Sequence, residues 1–329
     1  MTNLPDNAMM KAAVNTRYGP PEVVAISVVP RPAPRPDELL IKVRASTVNR
    51  TDCGFRSAEY FVSRFFSGLL RPKFATLGCE FAGEIAAVGN DVKNYSVGQK
   101  VVGFNDIRFG GHAEYMVINH NGAVGIMPES LTFEEAAPIL EGSHYALCDI
   151  RSAGITAGQR WLINGGTGAI GSAAVQLCAY FGAEVTAVCG TAHAELVRSL
   201  GAATVIDYTK EDFTQRSETY DVIFDAVGKS SFGRCKRILK SRGIYMSTEL
   251  GPRFENPVLA LKGKFVSGKK VLFPLPTISK EDAAFLISLV EAGKFKPVID
   301  RVYPLDRIVE AYRYVETEQK IGNVVMRIE

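Results

Sequence analysis

A chain of 329 residues, 47% hydrophobic and 22% charged, carries enough apolar material for about two ordinary domains without covalent staples. Its net charge of +3 is too small to call for a nucleic acid or an anionic membrane surface as partner. The six cysteines (Cys53, Cys79, Cys148, Cys178, Cys189 and Cys235) are scattered with no Cys-x-x-Cys pair, which excludes a thioredoxin-like site and a zinc knuckle.

The opening residues, Met1 to Met10, lack a basic stretch followed by an apolar one, and nothing later reaches membrane-spanning length without charge. They read as a short disordered arm on a cytoplasmic protein with no membrane partner. From Lys11 to about Phe104, short apolar alternations are broken by Pro and Gly, as in 38–45, 84–89 and 99–104; such strands and turns predict a compact, barrel-like β domain. Apolar residues between Ser57 and Pro72 fall at helical spacing, suited either to a greasy wall beside a substrate or to packing on the barrel or a partner subunit. A further strand covers 111–118, and Thr132-Phe133-Glu134-Glu135 is a capping box that should open a helix into a second domain.

From about Gly158 to Pro276, strands and helices alternate. Strands are expected at 160–164, 184–188, 203–206, 221–225 and 243–247, and helices from 168, at about 193–200 and at about 230–240. This order predicts a doubly wound parallel sheet. After Pro276 come a helix at 281–292, a strand at 297–302, a helix from about Leu305 and a last strand at 323–328. The resulting division is 1–137, 138–276 and 277–329, the last segment completing the first domain.

The strand 161–164 runs into Gly166-Thr167-Gly168-Ala169-Ile170-Gly171 and then a helix, with a second strand at βαβ distance. In that context Gly-x-Gly-x-x-Gly is a dinucleotide fingerprint, whose backbone N–H groups and helix dipole receive a pyrophosphate. NAD-selective sites place an acid after the second strand, whereas this chain has Cys189-Gly190-Thr191. The absence of an acid, with donors from Gly190 and Thr191, favours NADP. No Arg or Lys follows at once; His193 and Tyr208 are the nearest phosphate partners, or else Tyr208 merely packs and His193 is solvated.

The β domain, the dinucleotide fold and the segments 77–84, 110–115, 127–131 and Phe224-Asp225-Ala226-Val227-Gly228 together resemble the medium-chain dehydrogenase/reductase superfamily, and most of all its zinc-independent quinone oxidoreductase branch with the 2-alkenal and enoyl thioester reductases. The resemblance implies a GroES-like β-barrel substrate domain plus a Rossmann domain, a homodimer, and hydride transfer from NADP(H) to a small hydrophobic carbonyl or quinone substrate. Zinc-dependent relatives carry Cys and His where this chain has Asn49 and Cys79, and the four-cysteine zinc lobe is missing. The set Cys79, Glu80 and Cys53 or Asp52 remains as an alternative set of zinc ligands for an alcohol dehydrogenase; a non-catalytic NADPH-binding protein is the third reading. By resemblance Val227 and Gly228 flank the nicotinamide, Asn323 returns to the cofactor cleft, Asn49 orients the nicotinamide end and Tyr60 donates the proton, unless Tyr60 simply packs among Phe61, Phe65 and Phe66. No His adjoins a nucleophilic Ser or Cys; His144, with Glu141, either organises a hinge or borders the nicotinamide.

Overall fold

A computed structural model describes residues 8–58, 64–263 and 267–328. In chain order its strands and helices are β1 (Met9–Asn15), β2 (Val24–Pro30), β3 (Glu38–Val48), α1 (Arg50–Ser57), α2 (Arg64–Ser67), β4 (Glu80–Val88), β5 (Lys100–Phe104), β6 (Tyr115–Asn119), β7 (Ala123–Ile126), α3 (Phe133–Ala136) and α4 (Glu141–Ala153). There follow β8 (Arg160–Asn164), α5 (Ala169–Tyr180), β9 (Glu184–Cys189), α6 (Ala194–Ser199), β10 (Thr204–Asp207), β11 (Tyr220–Asp225), α7 (Phe232–Cys235), β12 (Leu239–Ser247), α8 (Glu255–Gly263), β13 (Lys270–Leu272), α9 (Lys280–Glu291), β14 (Ile299–Pro304), α10 (Ile308–Glu316) and β15 (Asn323–Arg327). Two compact units result. The first is the chain up to Glu141 with Ser279–Ala292 and Lys296–Glu329; the second is Gly142–Ile278 with Gly293–Phe295.

The first unit is built on a seven-stranded sheet in the order β14-β15-β3-β4-β5-β7, with β6 also paired to β3. All its pairings are antiparallel except β14 with β15. The long strand β3 is buried along most of its length because β4, β6 and β15 all draw on it. Gly83 permits the closest approach of β3 and β4, since a Cβ there would lie 2.3 Å from the Lys42 carbonyl oxygen. Helix α10 turns Ile308, Ala311, Tyr312 and Val315 inward, the i, i+3, i+4, i+7 stripe of an amphipathic helix, onto a core that includes Leu39, Ile41, Phe81 and Met326.

The second unit carries a six-stranded, wholly parallel sheet in the order β10-β9-β8-β11-β12-β13. The chain leaves β8, winds outward to β10, then returns to the other side of β8 through β11. Such a reversal opens a crevice at the carboxyl ends of β8 and β11, the general location of ligands in doubly wound sheets. Helix α5 is rich in small residues and buried from Gly171 to Cys178, so it lies close to the strands.

The structure departs from the sequence pattern in three places. Met9 and Met10, assigned to a disordered arm, begin β1. Thr132 and Glu135 do form the expected capping box, but α3 lasts four residues before Pro138 breaks the helical path, and the longer helix is α4. The helix expected at about 230–240 ends at Cys235 in a short 3-10 turn, because Leu239 pairs with Tyr220 and is buried in the sheet; burial there outweighs helical spacing. Among the described residues no helix is long and apolar enough to cross a membrane.

Candidate active site

In the second unit, the turn between β8 and α5 is shaped by glycine. Gly165 has φ +81°, and the N–H groups of Gly165 and Gly166 both donate to Val188 O, at 3.1 and 3.0 Å, tying the turn to β9. Gly171 lies against it so closely that a Cβ would stand 2.0 Å from Gly165 O. Gly168 is the N-cap of α5 and contributes no side-chain acceptor. Since the first N–H groups of a helix have no partner within it, this end is built to receive an anion from outside. The fingerprint residues Gly166, Thr167, Gly168, Ala169 and Ile170 together form this turn and the start of α5, a glycine-shaped cradle.

The carboxyl end of β11 meets this cradle. Asp225 is fully buried and accepts from Asn164 Nδ2 at 3.0 Å, Ser230 N at 2.7 Å and the Tyr245 hydroxyl at 3.2 Å. Ala226 N donates to Asn164 O at 3.0 Å. These bonds hold the turn that carries Val227 and Gly228, and the Val227 side chain sits directly over Gly165, 2.3 Å from where a Cβ would be. The pyrophosphate and nicotinamide loops expected from the sequence are thus one connected structure.

At the end of β9, Gly190 faces the Tyr208 ring, with room for a Cβ 3.5 Å from its hydroxyl, and Tyr208 is 64% exposed. His193 closes the following turn by donating its N–H to Gly190 O at 3.0 Å. Thr191 differs from expectation. A hydroxyl has one hydrogen, and Thr191 gives it to the Asp207 carboxylate at the end of β10, leaving no hydroxyl donor for a phosphate. Asp207, which the sequence reading passed over, also accepts from Thr209 N at 3.0 Å and Thr209 Oγ1 at 2.7 Å.

The first unit gathers a buried polar cluster around Asn49, the N-cap of α1 and 4% exposed. Its Nδ2 donates to Thr47 Oγ1 at 2.8 Å and to Glu141 Oε2. Glu141 Oε2 also accepts from the Cys79 thiol at 3.2 Å. Val48 stands opposite Val324, so Asn49 and Asn323 lie at the same end of neighbouring strands β3 and β15. Asn323 is buried and donates from N and Nδ2 to Val298 O at 2.8 and 3.0 Å. Tyr60 lies outside the described residues.

Three acids are buried here, each with its own donors. Asp52 Oδ2 accepts from Asn49 N and Oδ1 from Gly78 N, both at 2.9 Å. Glu80 Oε1 accepts from Leu140 N at 2.6 Å and Glu141 N at 2.8 Å, while Oε2 accepts from Thr47 Oγ1 at 3.1 Å. Glu141 is held by side chains. Burial pushes Asp52 and Glu141 up to about 7, Glu141 also by the charge of Asp52; Glu80 is raised by burial and then by Glu141. Burial likewise pushes the Cys79 thiol well up, and Lys320, drawn down by burial, is the cation that offsets Glu141.

One ligand atom from each of Asp52, Cys79 and Glu141 falls within 4.8 Å of the others. This differs from the set conceived from sequence: Glu80 turns its oxygens to backbone and Thr47, and Glu141 takes the third place. No spacing rule finds Glu141, which stands 62 residues after Cys79 in the chain.

Comparison with known proteins agrees with this geometry. The alcohol dehydrogenase GroES-like domain family matches residues 35–129, and a family described as zinc-binding dehydrogenase matches residues 200–326. The chain is 32% identical over 333 residues to 2-methylene-furan-3-one reductase of Solanum lycopersicum, covering 96% of this chain and 79% of that one. It is 30% identical to the chloroplastic NADPH-dependent alkenal/one oxidoreductase of Arabidopsis thaliana, covering 96% and 79%. Among solved structures, the quinone oxidoreductase from Coxiella burnetii superposes with a TM-score of 0.87 at 28% identity, over 98% of this chain and all of that one. The chain therefore belongs to the medium-chain dehydrogenase/reductase superfamily, among its quinone oxidoreductases and alkenal and enoyl reductases.

Proposed function

We propose that this protein is an NADPH-dependent reductase that delivers hydride to the β-carbon of an α,β-unsaturated carbonyl or to a quinone and needs no metal. The observation that carries the reading is the glycine cradle at the N-terminus of α5, bonded to the Asp225 turn. Relatives named as alkenal/one and quinone oxidoreductases supply the substrate class. The bound dinucleotide would supply the hydride; the protein supplies placement and exclusion of water. Gly166, Thr167, Gly168, Ala169 and Ile170 would hold the pyrophosphate; Gly190, His193 and Tyr208 would border the adenosine phosphate; Val227 and Gly228 would flank the nicotinamide, and the family resemblance gives Asn49 and Asn323 of the first unit their cofactor roles.

Metal independence is supported by how the donors are spent. Both Asp52 oxygens accept backbone N–H groups, and burial opposes the thiolate that Cys79 would need to bind zinc. Charge development on the substrate must then be met by hydrogen-bond donors. Tyr60 fills the proton-donor role in this reading. Tyr60→Phe should lower turnover about 10²- to 10⁴-fold while leaving NADPH affinity unchanged.

The test follows NADPH and NADH absorbance with metal-stripped protein against ortho-quinones, 2-alkenals and enoyl thioesters. NADPH oxidation that persists without metal supports the reading. Silence restored only by added zinc, an alcohol and oxidised cofactor would replace it with the dehydrogenase. A homodimer and a cytoplasmic location form part of the same proposal, checked by light scattering and by cell fractionation.

A further inference from the structure

The turn Cys189-Gly190-Thr191 contains no cation, and the single hydroxyl hydrogen of Thr191 is committed to Asp207. A 2′-phosphate bound there would have the Asp207 carboxylate nearby and no cation from the turn to offset it. The neighbouring strand provides one. β10 runs parallel to β9 with Asp207 in register with Cys189, so residues 208–210 pass beside the turn. Tyr208 covers Gly190, Thr209 binds Asp207 from both its N–H and its hydroxyl, and Lys210 Nζ lies 3.3 Å from Asp207 Oδ2.

The pair is asymmetric. The Lys210 side chain is 68% exposed and that of Asp207 17%, so the ammonium faces outward with the carboxylate behind it. An ammonium has three donors; with one directed at Asp207, the others remain for an incoming anion. The carboxylate, held ionised by Thr191 first and Thr209 next, fixes both the turn and the lysine.

We propose that Lys210 and Asp207 form the charge pair that sets selectivity for a 2′-phosphorylated dinucleotide, Lys210 binding the phosphate and masking the Asp207 carboxylate from it. This rests on the NADPH reading. Without Lys210 the same carboxylate would repel the phosphate and leave an unphosphorylated ribose little affected. The proposal thus makes a statement about both ligands.

Calorimetric titration of the full-length protein with 2′,5′-ADP and, separately, 5′-AMP tests it without any turnover. The parent should bind 2′,5′-ADP more tightly. Lys210→Ala should weaken 2′,5′-ADP about tenfold and change 5′-AMP less than about twofold. Lys210→Arg should retain the preference, and Asp207→Asn introduced into Lys210→Ala should recover part of the loss. If Lys210→Ala leaves 2′,5′-ADP unaffected, or weakens both ligands alike, the charge pair does not select the phosphate. If the parent itself binds the two equally, the NADPH reading falls and this proposal with it.

Discussion

Adding one methyl group at Gly171 tests whether the cradle is set by backbone proximity. In Gly171→Ala the new Cβ would stand 2.0 Å from Gly165 O and 2.8 Å from Gly165 C. Ordinary contact needs about 3.5 Å, so the turn and the helix must part by roughly 1.5 Å. Gly165 cannot yield alone: its N–H and that of Gly166 are bonded to Val188 O, and Val227 covers it. The overpacking should cost about 1–3 kcal/mol, of which the better helix propensity of alanine returns up to about 1 kcal/mol. Stability should therefore fall modestly. The larger effect is on binding, because hydrogen bonds to a charged group contribute about 1.5–3 kcal/mol each and one displaced N–H is enough to weaken NADPH about 10- to 100-fold. Fluorescence titration with NADPH measures this, alongside Gly233→Ala in α7, where a Cβ meets nothing nearer than Ser231 Oγ at 3.9 Å. A Gly171→Ala protein that binds NADPH within about twofold of the parent, while Gly233→Ala does the same, would refute the close-packing argument.

Burial pushes Asp149 up from 3.8 to about 8. A carboxyl raised on folding contributes stability that is fully present below about pH 4 and is lost as pH rises through about 8; by pH 7 the loss is about 4 kcal/mol. Asp149→Asn should therefore match the parent in urea unfolding near pH 4 and exceed it increasingly toward pH 8, and a difference that does not vary with pH would count against the assignment. Ionised Glu141 accepts a charge-assisted bond from Asn49, so kcat/KM should climb as pH passes about 7, in a field set by Asp52, Cys79, Glu80 and Lys320. Glu141→Gln should flatten that step and lower the high-pH plateau about tenfold, and an unchanged pH profile would separate Glu141 from the reaction. Arg56 is fully buried, donates to Gly19 O at 2.7 Å, lies 5.0 Å from the centre of the Tyr312 ring and pairs with Glu316. Glu316→Ala leaves that charge without its counter-ion and should cost about 3 kcal/mol in thermal or urea unfolding.

What could be read in the amino-acid sequence divides along physical lines. The dinucleotide cradle was legible because it is local: a strand, three spaced glycines and a helix follow one another within 161–180, and Gly171 answers a backbone contact with Gly165 in the same turn. The parallel sheet followed from alternation, with strand ends shifted by a few residues. The helix expected at about 230–240 failed because the apolar spacing around Leu239 serves a helix and a buried strand alike, and only pairing with Tyr220 decides between them. Asp207 was passed over because its partner Thr191 lies 16 residues away across a strand pairing. Glu141 entered only as a hinge or border residue, since nothing in the sequence places it against Asn49, 92 residues earlier.

The two kinds of site therefore have opposite sensitivities. The cradle in the second unit offers backbone groups, so an atom added where that backbone packs on itself, as at Gly171, obstructs it. The cluster in the first unit is made of side chains from β3, α1, the start of β4, α4 and the segment before β15, and Asn49, Asp52, Cys79 and Glu141 hold one another in place. Each atom removed there leaves a buried donor or acceptor without its partner, which costs more than the bond itself was worth. An exchange of Thr47 for valine illustrates the point: nearly the same volume remains, yet Asn49 Nδ2 and Glu80 Oε2 both lose a partner at once. A site written in backbone tolerates sequence drift wherever glycine is kept, whereas one written in mutually dependent side chains must change as a set.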